Sequence, residues 1–133
     1  MDNRIRVLCV EDRRDVADAI RLIIDSDPTM ECVGCLASAD DLVEHVQNRN
    51  QRPDVIILDA TMPRRDPLGA IEELQVASPS TRTVIYSAHD DPAIIRRARE
   101  SGAWAYVSKD DESRNLLRTV REVAAGRSGW ERQ

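Results

Sequence analysis

Five short apolar runs, at 5–10, about 31–36, 55–58, 83–87 and 104–107, are separated by stretches long enough for a helix and patterned with a helical period. This rhythm constrains the fold more than any other feature. Parallel strands need crossovers of about a dozen residues or more, usually helical, and the helices then cover both faces of the sheet. The first intervening stretch carries Val16, Ile20, Ile23 and Ile24 on one side, and the stretch after the fifth run carries Leu116, Leu117, Val120 and Val123. Such stripes belong to helices laid on a sheet. The pattern predicts an α/β chain of five strands and five helices. Ser38 with Asp41 has capping-box spacing and marks one helix start. Asp66-Pro67 and Asp91-Pro92 mark two more, with Asp as the cap and Pro at the first helical position. Gly102 and Gly126 fall where helices should stop.

Four of the runs lead into polar residues: Glu11 and Asp12 after the first, Asp59 after the third, Ser87 at the end of the fourth, and Lys109 just beyond the fifth. In a parallel sheet all carboxyl ends point the same way, so these side chains converge on one crevice, where such sheets bind ligands. Three carboxylates in one crevice repel one another unless a cation sits among them or one takes a proton. Magnesium, or manganese in its place, is the natural cation, since such ions take oxygen ligands and few carboxylates. Glu11, Asp12 and Asp59 meet that description. A carboxylate can also attack phosphorus to give an acyl phosphate, and Asp59 is placed for that role. Lys109 suits one phosphoryl oxygen as a point cation, and the Ser87 hydroxyl suits another. Taken singly, each residue is more often a helix cap, a strand-end hydrogen bonder or a solvated charge than a reacting group. Four separate strand ends supplying acid pair, acid, hydroxyl and ammonium in this order are hard to obtain from capping alone.

The length fits one domain, read as residues 1–126, followed by a short polar tail over 127–133 in which Trp130 reads as a lone exposed aromatic. A net charge of −5 argues against direct nucleic-acid binding. No apolar stretch approaches the roughly 20 residues of a membrane span, and the charged start leads straight into a strand, so a soluble cytoplasmic protein is expected. The three cysteines are an odd count and read as reduced thiols. Cys32-Val33-Gly34-Cys35 matches C-x-x-C, but residues three apart in a regular strand face opposite sides of the sheet, which argues against a metal or redox pair.

The acidic pair, Leu58-Asp59-Ala60-Thr61-Met62-Pro63, Tyr86-Ser87-Ala88 and Tyr106-Val107-Ser108-Lys109 resemble the motifs of the response regulator receiver domain. The likeness runs through essentially the whole chain. It implies a flavodoxin-like, doubly wound sheet in the order 2-1-3-4-5. It further implies phosphorylation of Asp59 by a histidine kinase or phosphotransfer protein, with magnesium held by Glu11, Asp12, Asp59 and the backbone carbonyl of Thr61. The stretch Ser87-Ala88-His89-Asp90-Asp91-Pro92 and the pair Lys109-Asp110 look most like receivers that precede LuxR-type helix-turn-helix domains.

The same resemblance assigns Tyr106 an inward movement coupled to Ser87, with output through the fourth helix, fifth strand and fifth helix to a downstream protein. Homodimerisation on phosphorylation is a further partner state it allows. Thr61 and His89 are expected to set phosphoryl lifetime, and Arg13, Arg14, Arg64 and Arg65 to ring the crevice. Two positions depart from the pattern: Asp110 where many receivers have Pro, and Asp66-Pro67 where Gly often follows the Asp. Neither removes a reacting group. A strand-end phosphohydrolase is disfavoured because Thr61 stands where its second acid would be, so a switch, and not an enzyme with a separate substrate, is expected. The competing expectation is a receiver-like module that works by contact without phosphorylation.

Overall fold

The computed structural model describes residues 3–62, 66–88 and 90–132. Five strands alternate with five helices: β1 (Ile5–Val10), α1 (Arg14–Asp25), β2 (Met30–Leu36), α2 (Leu42–Gln47), β3 (Val55–Leu58), α3 (Pro67–Ala77), β4 (Arg82–Ser87), α4 (Pro92–Ser101), β5 (Ala105–Ser108) and α5 (Ser113–Ala124). Short 3-10 turns occupy Arg49–Gln51 and Gly129–Arg132. The strands form one parallel sheet in the order β2-β1-β3-β4-β5, and the observed strands lie within a residue or so of the predicted runs. No helix among the described residues is long and apolar enough to cross a membrane.

Position in the sheet explains burial along each strand. All four residues of β3, Val-Ile-Ile-Leu, are buried because helices cover both faces of this central strand. The edge strands β2 and β5 keep partly exposed positions. Two apolar layers result. One packs Val7, Cys9, Ile57 and Val84 against α1 and α5, through Ala17, Ile20, Ile24, Leu116, Val120 and Val123. The other packs Leu8, Val10, Ile56, Leu58 and Ile85 against α2, α3 and α4, through Leu42, Leu68, Ile71, Leu74 and Ala98. Each fully buried Leu or Ile contributes roughly 2–3 kcal/mol.

Asp66 and Asp91 cap α3 and α4 as predicted, accepting from the amides of Leu68 at 3.1 Å and Ala93 at 2.9 Å, with Pro next in line. Gly102 ends α4 at φ 108° and Gly126 follows α5 at φ 89°. Three expectations need correction. Ser38 caps no helix: its hydroxyl accepts from Asp40 N at 3.0 Å in a local turn, and α2 starts only at Leu42. Trp130 is buried, with its indole N–H donating to Ala103 O at 2.6 Å. The segment after α5 folds back onto the sheet, and Gly129 permits it, since a Cβ there would stand 2.6 Å from that of Ala105.

The third correction concerns the cysteines. β2 carries a bulge: Val7 pairs with Cys32 but Leu8 pairs with Gly34, so Val33 is the extra residue and Cys9 pairs with Cys35. An extra residue shifts the alternation by one. Cys32 and Cys35 therefore share a face, contrary to the regular-strand reading.

Candidate functional site

Each predicted site residue lies at the carboxyl end of its strand because the strands are parallel and in register. Glu11 N donates to Leu36 O at 2.9 Å, Asp59 N to Val10 O at 3.1 Å, and Lys109 N to Ser87 O at 2.8 Å, so backbone bonds tie the loops side by side. Glu11 and Asp59 are buried while Asp12 is exposed. One oxygen from each of the three carboxylates lies within 4.8 Å of the others.

Lys109 provides the opposing charge. Its Nζ donates to Glu11 Oε1 at 2.6 Å and sits 3.6 Å from Asp59 Oδ2. Burial alone would lower its pKa, but the Glu11 hydrogen bond and the Asp59 charge outweigh that and hold it above the ordinary lysine value. Nζ also lies 5.9 Å from the Tyr86 ring centre. Burial raises the Tyr86 phenol, with Lys109 opposing the shift.

Three formal negative charges against one positive leave the pocket short of about two positive charges. That deficit, with an all-oxygen donor set, fits a hard divalent ion. The second oxygen of Glu11 accepts from Arg13 N at 3.3 Å, and Asp59 Oδ1 accepts from Thr61 N at 3.1 Å and Thr61 Oγ1 at 3.4 Å. Thr61 thus holds the orientation of Asp59 through its amide and hydroxyl, contacts that the sequence did not reveal because they depend on the path of the loop.

Ser87 is fully buried at the end of β4. Tyr106 is half-buried against the layer beneath α3 and α4, and burial raises its phenol while Ser87 partly offsets the shift. Tyr86 was missed as a site neighbour. The aromatic directly before Ser87 was the available signal. Arg13 stands at the N-cap position of α1 without a side-chain capping bond and Arg14 opens that helix, whereas Arg64, Arg65 and His89 lie outside the described residues. The Lys109–Asp110 peptide is trans, as are all peptide bonds among the described residues.

A family model described as the response regulator receiver domain matches residues 7–121. The transcriptional regulatory protein DegU of Brevibacillus brevis is 27% identical over 125 residues, covering 94% of this chain and 52% of DegU. A protein-glutamate methylesterase/protein-glutamine glutaminase of Chromohalobacter salexigens is 37% identical over 110 residues, covering 82% of this chain and 30% of the relative. The chain thus spans about half or less of the length of these relatives. Among solved structures, a LuxR-family two-component response regulator from an Aurantimonas species superposes with a TM-score of 0.87 at 25% identity, covering 95% of this chain and 89% of that one.

Proposed function

The chain belongs to the response regulator receiver domain family, and on that premise we propose that it accepts a phosphoryl group on Asp59 and passes its phosphorylation state on by protein contacts. The observation that carries this reading is the convergence of Glu11, Asp59 and Lys109, with Nζ 2.6 Å from one carboxylate and 3.6 Å from the other. Thr61 holds Oδ1 of Asp59 from one side, so Oδ2, facing Lys109, is the oxygen proposed to attack. The Oδ2–P bond forms as the bond from phosphorus to the donor breaks.

Lys109 and Ser87 each take one phosphoryl oxygen, and Lys109 exchanges part of its pairing with Glu11 for that contact. Glu11, Asp12, Asp59 and the Thr61 carbonyl are proposed to hold magnesium, which when bound neutralises charge on the phosphoryl oxygens. Ser87 engaged with the phosphoryl group leaves its side of Tyr106 altered, and the added charge biases the pair toward one arrangement. Thr61 and His89 are the positions assigned to setting phosphoryl lifetime in this reading. The phosphoryl donor is a histidine kinase or phosphotransfer protein, and the output is a downstream protein. No separate substrate is turned over.

The test is intact mass after incubation with a small acyl-phosphate donor and magnesium, beside Asp59→Asn and a metal-free control. One phosphoryl adduct that requires both Asp59 and the metal supports the proposal. A folded protein that gains no adduct and also fails to bind beryllofluoride overturns it.

A further inference from the structure

The bulge at Val33 places Cys32 and Cys35 on the face that carries α1 and α5, with Cys35 beside Cys9. Packing confirms the sides: Cys32 lies against the Val7 and Cys9 layer, Val33 against the opposite one, and Gly34 faces Leu8. On the partner strand the same interval is Val7 to Cys9. Cys32 and Cys35 are therefore separated by about two strand rises, near 6.6 Å between Cα atoms. That is at the upper end of the roughly 4.4–6.8 Å that a disulfide spans. Cys32 Sγ lies 3.5 Å from Gly34 O, so its thiol is turned along the strand toward Cys35.

The pair is accessible, while partial burial and its neighbour Cys32 raise the Cys35 thiol, so Cys32 is taken as the member that reacts first. Cys35 is exposed, Cys32 is half-buried, and the strand lies at the sheet edge, where a small adjustment is least opposed. The Cys32 amide is fixed by Asp25 Oδ1 at 2.9 Å. One helical turn earlier on α1, the Arg21 guanidinium hydrogen-bonds Cys32, which favours its charged form more than Cys35 or Asp25 does. The guanidinium is thus placed to donate to the leaving peroxide oxygen as the O–O bond breaks. Cys9 is fully buried, and burial, followed by its neighbour Cys35, pushes its thiol far up, so it is a poor competitor. Among the described residues only Glu11, Asp12 and Asp59 bring three ligand atoms within 4.8 Å, so the thiols do not form a preassembled metal cage.

We propose that Cys32 and Cys35 form a redox-active dithiol that hydroperoxides oxidise to a reversible intramolecular disulfide. The Cys32 thiolate attacks the peroxide: an S–O bond forms, the O–O bond breaks, and the leaving oxygen takes a proton to become water or an alcohol. Cys35 then attacks the sulfenic sulfur. The S–S bond forms and the S–O bond breaks, and the Cys35 proton leaves with the hydroxyl as water. Two electrons pass from the thiols to the peroxide.

The test treats the whole reduced chain with hydrogen peroxide and reads intact mass and iodoacetamide-reactive thiols after denaturation. A loss of two hydrogens is expected, with alkylation falling from three thiols to one and dithiothreitol restoring all three. Trypsin cuts after Arg21 and Arg49, so the bond should lie inside a single fragment that excludes Cys9. Cys9→Ala should retain the disulfide, Cys32→Ser and Cys35→Ser should each lose it, and Arg21→Gln should oxidise several-fold more slowly with unchanged circular dichroism. A bond to Cys9, intermolecular dimers alone, sulfinic or sulfonic adducts without a disulfide, or thiols left unchanged would each overturn the proposal.

Discussion

At the scale of the residue, Lys109 offsets one of the three carboxylate charges in the pocket and leaves about two uncompensated. It also stands where it competes with any bound cation. Lys109→Ala is therefore expected to tighten magnesium binding by about tenfold or more, since a charge a few ångströms away is worth kilocalories even at a high effective dielectric. The same variant should lose phosphoryl uptake, and calorimetric titration beside the mass assay separates the two effects. Asp27 presents a different titration. Hydrogen bonds from the Thr29 hydroxyl and amide, at 2.6 and 2.8 Å, followed by the charge of Arg121, hold its carboxyl below the ordinary value despite burial. A depressed folded pKa stabilises the fold above the unfolded value near 3.8 and loses that contribution as pH falls through the lower folded value. Asp27→Asn should lower stability at pH 7 and flatten the acid limb of the unfolding curve below about pH 4. The placement of Glu11, Asp12, Asp59, Ser87 and Lys109 at one end of the sheet was legible because strand ends in a parallel sheet have one direction. The Thr61 donors and the Tyr86 ring were not, because each depends on a loop path or a side-chain direction.

At the scale of the element, the Asp-Pro starts were readable and the Ser38 start was not. Asp91 accepts from Ala93 N ahead of a proline, whereas Ser38 bonds to a turn that ends before α2 begins. Asp91→Ala should cost about 1 kcal/mol, measurable by urea unfolding, while Ser38→Ala should cost less than half of that. The end of α5 has help that no local pattern announces. Arg82 from β4 reaches the carbonyls of Val123 and Ala124 at 3.1 and 3.2 Å and stacks over Trp104 at 4.6 Å. Such contacts join residues roughly twenty to forty positions apart in the chain and leave no periodic trace. The bulge escaped for a related reason: an extra residue in a strand of ordinary composition is set by pairing with its neighbour.

At the scale of the whole molecule, the order of the sheet followed from rhythm and resemblance together, and the segment after α5 did not. Gly129 N donates to Trp104 O at 2.8 Å, Trp130 joins the layer beneath α4, and Arg99 lies over its ring at 5.8 Å. Removing residues 127–133 should therefore cost about 2 kcal/mol, less than a central tryptophan because a chain end can fray. A melting point lower by about 5–10 °C is expected in calorimetry. The bulge bears on the molecule's dealings with its own kind. β2 is an edge strand, and a regular edge offers a row of unpaired amides and carbonyls on which another strand can assemble. With Val33 inserted, that row loses its even spacing midway, so β2 is a poor template for strand addition, and the domain is guarded against aggregation on the side opposite β5.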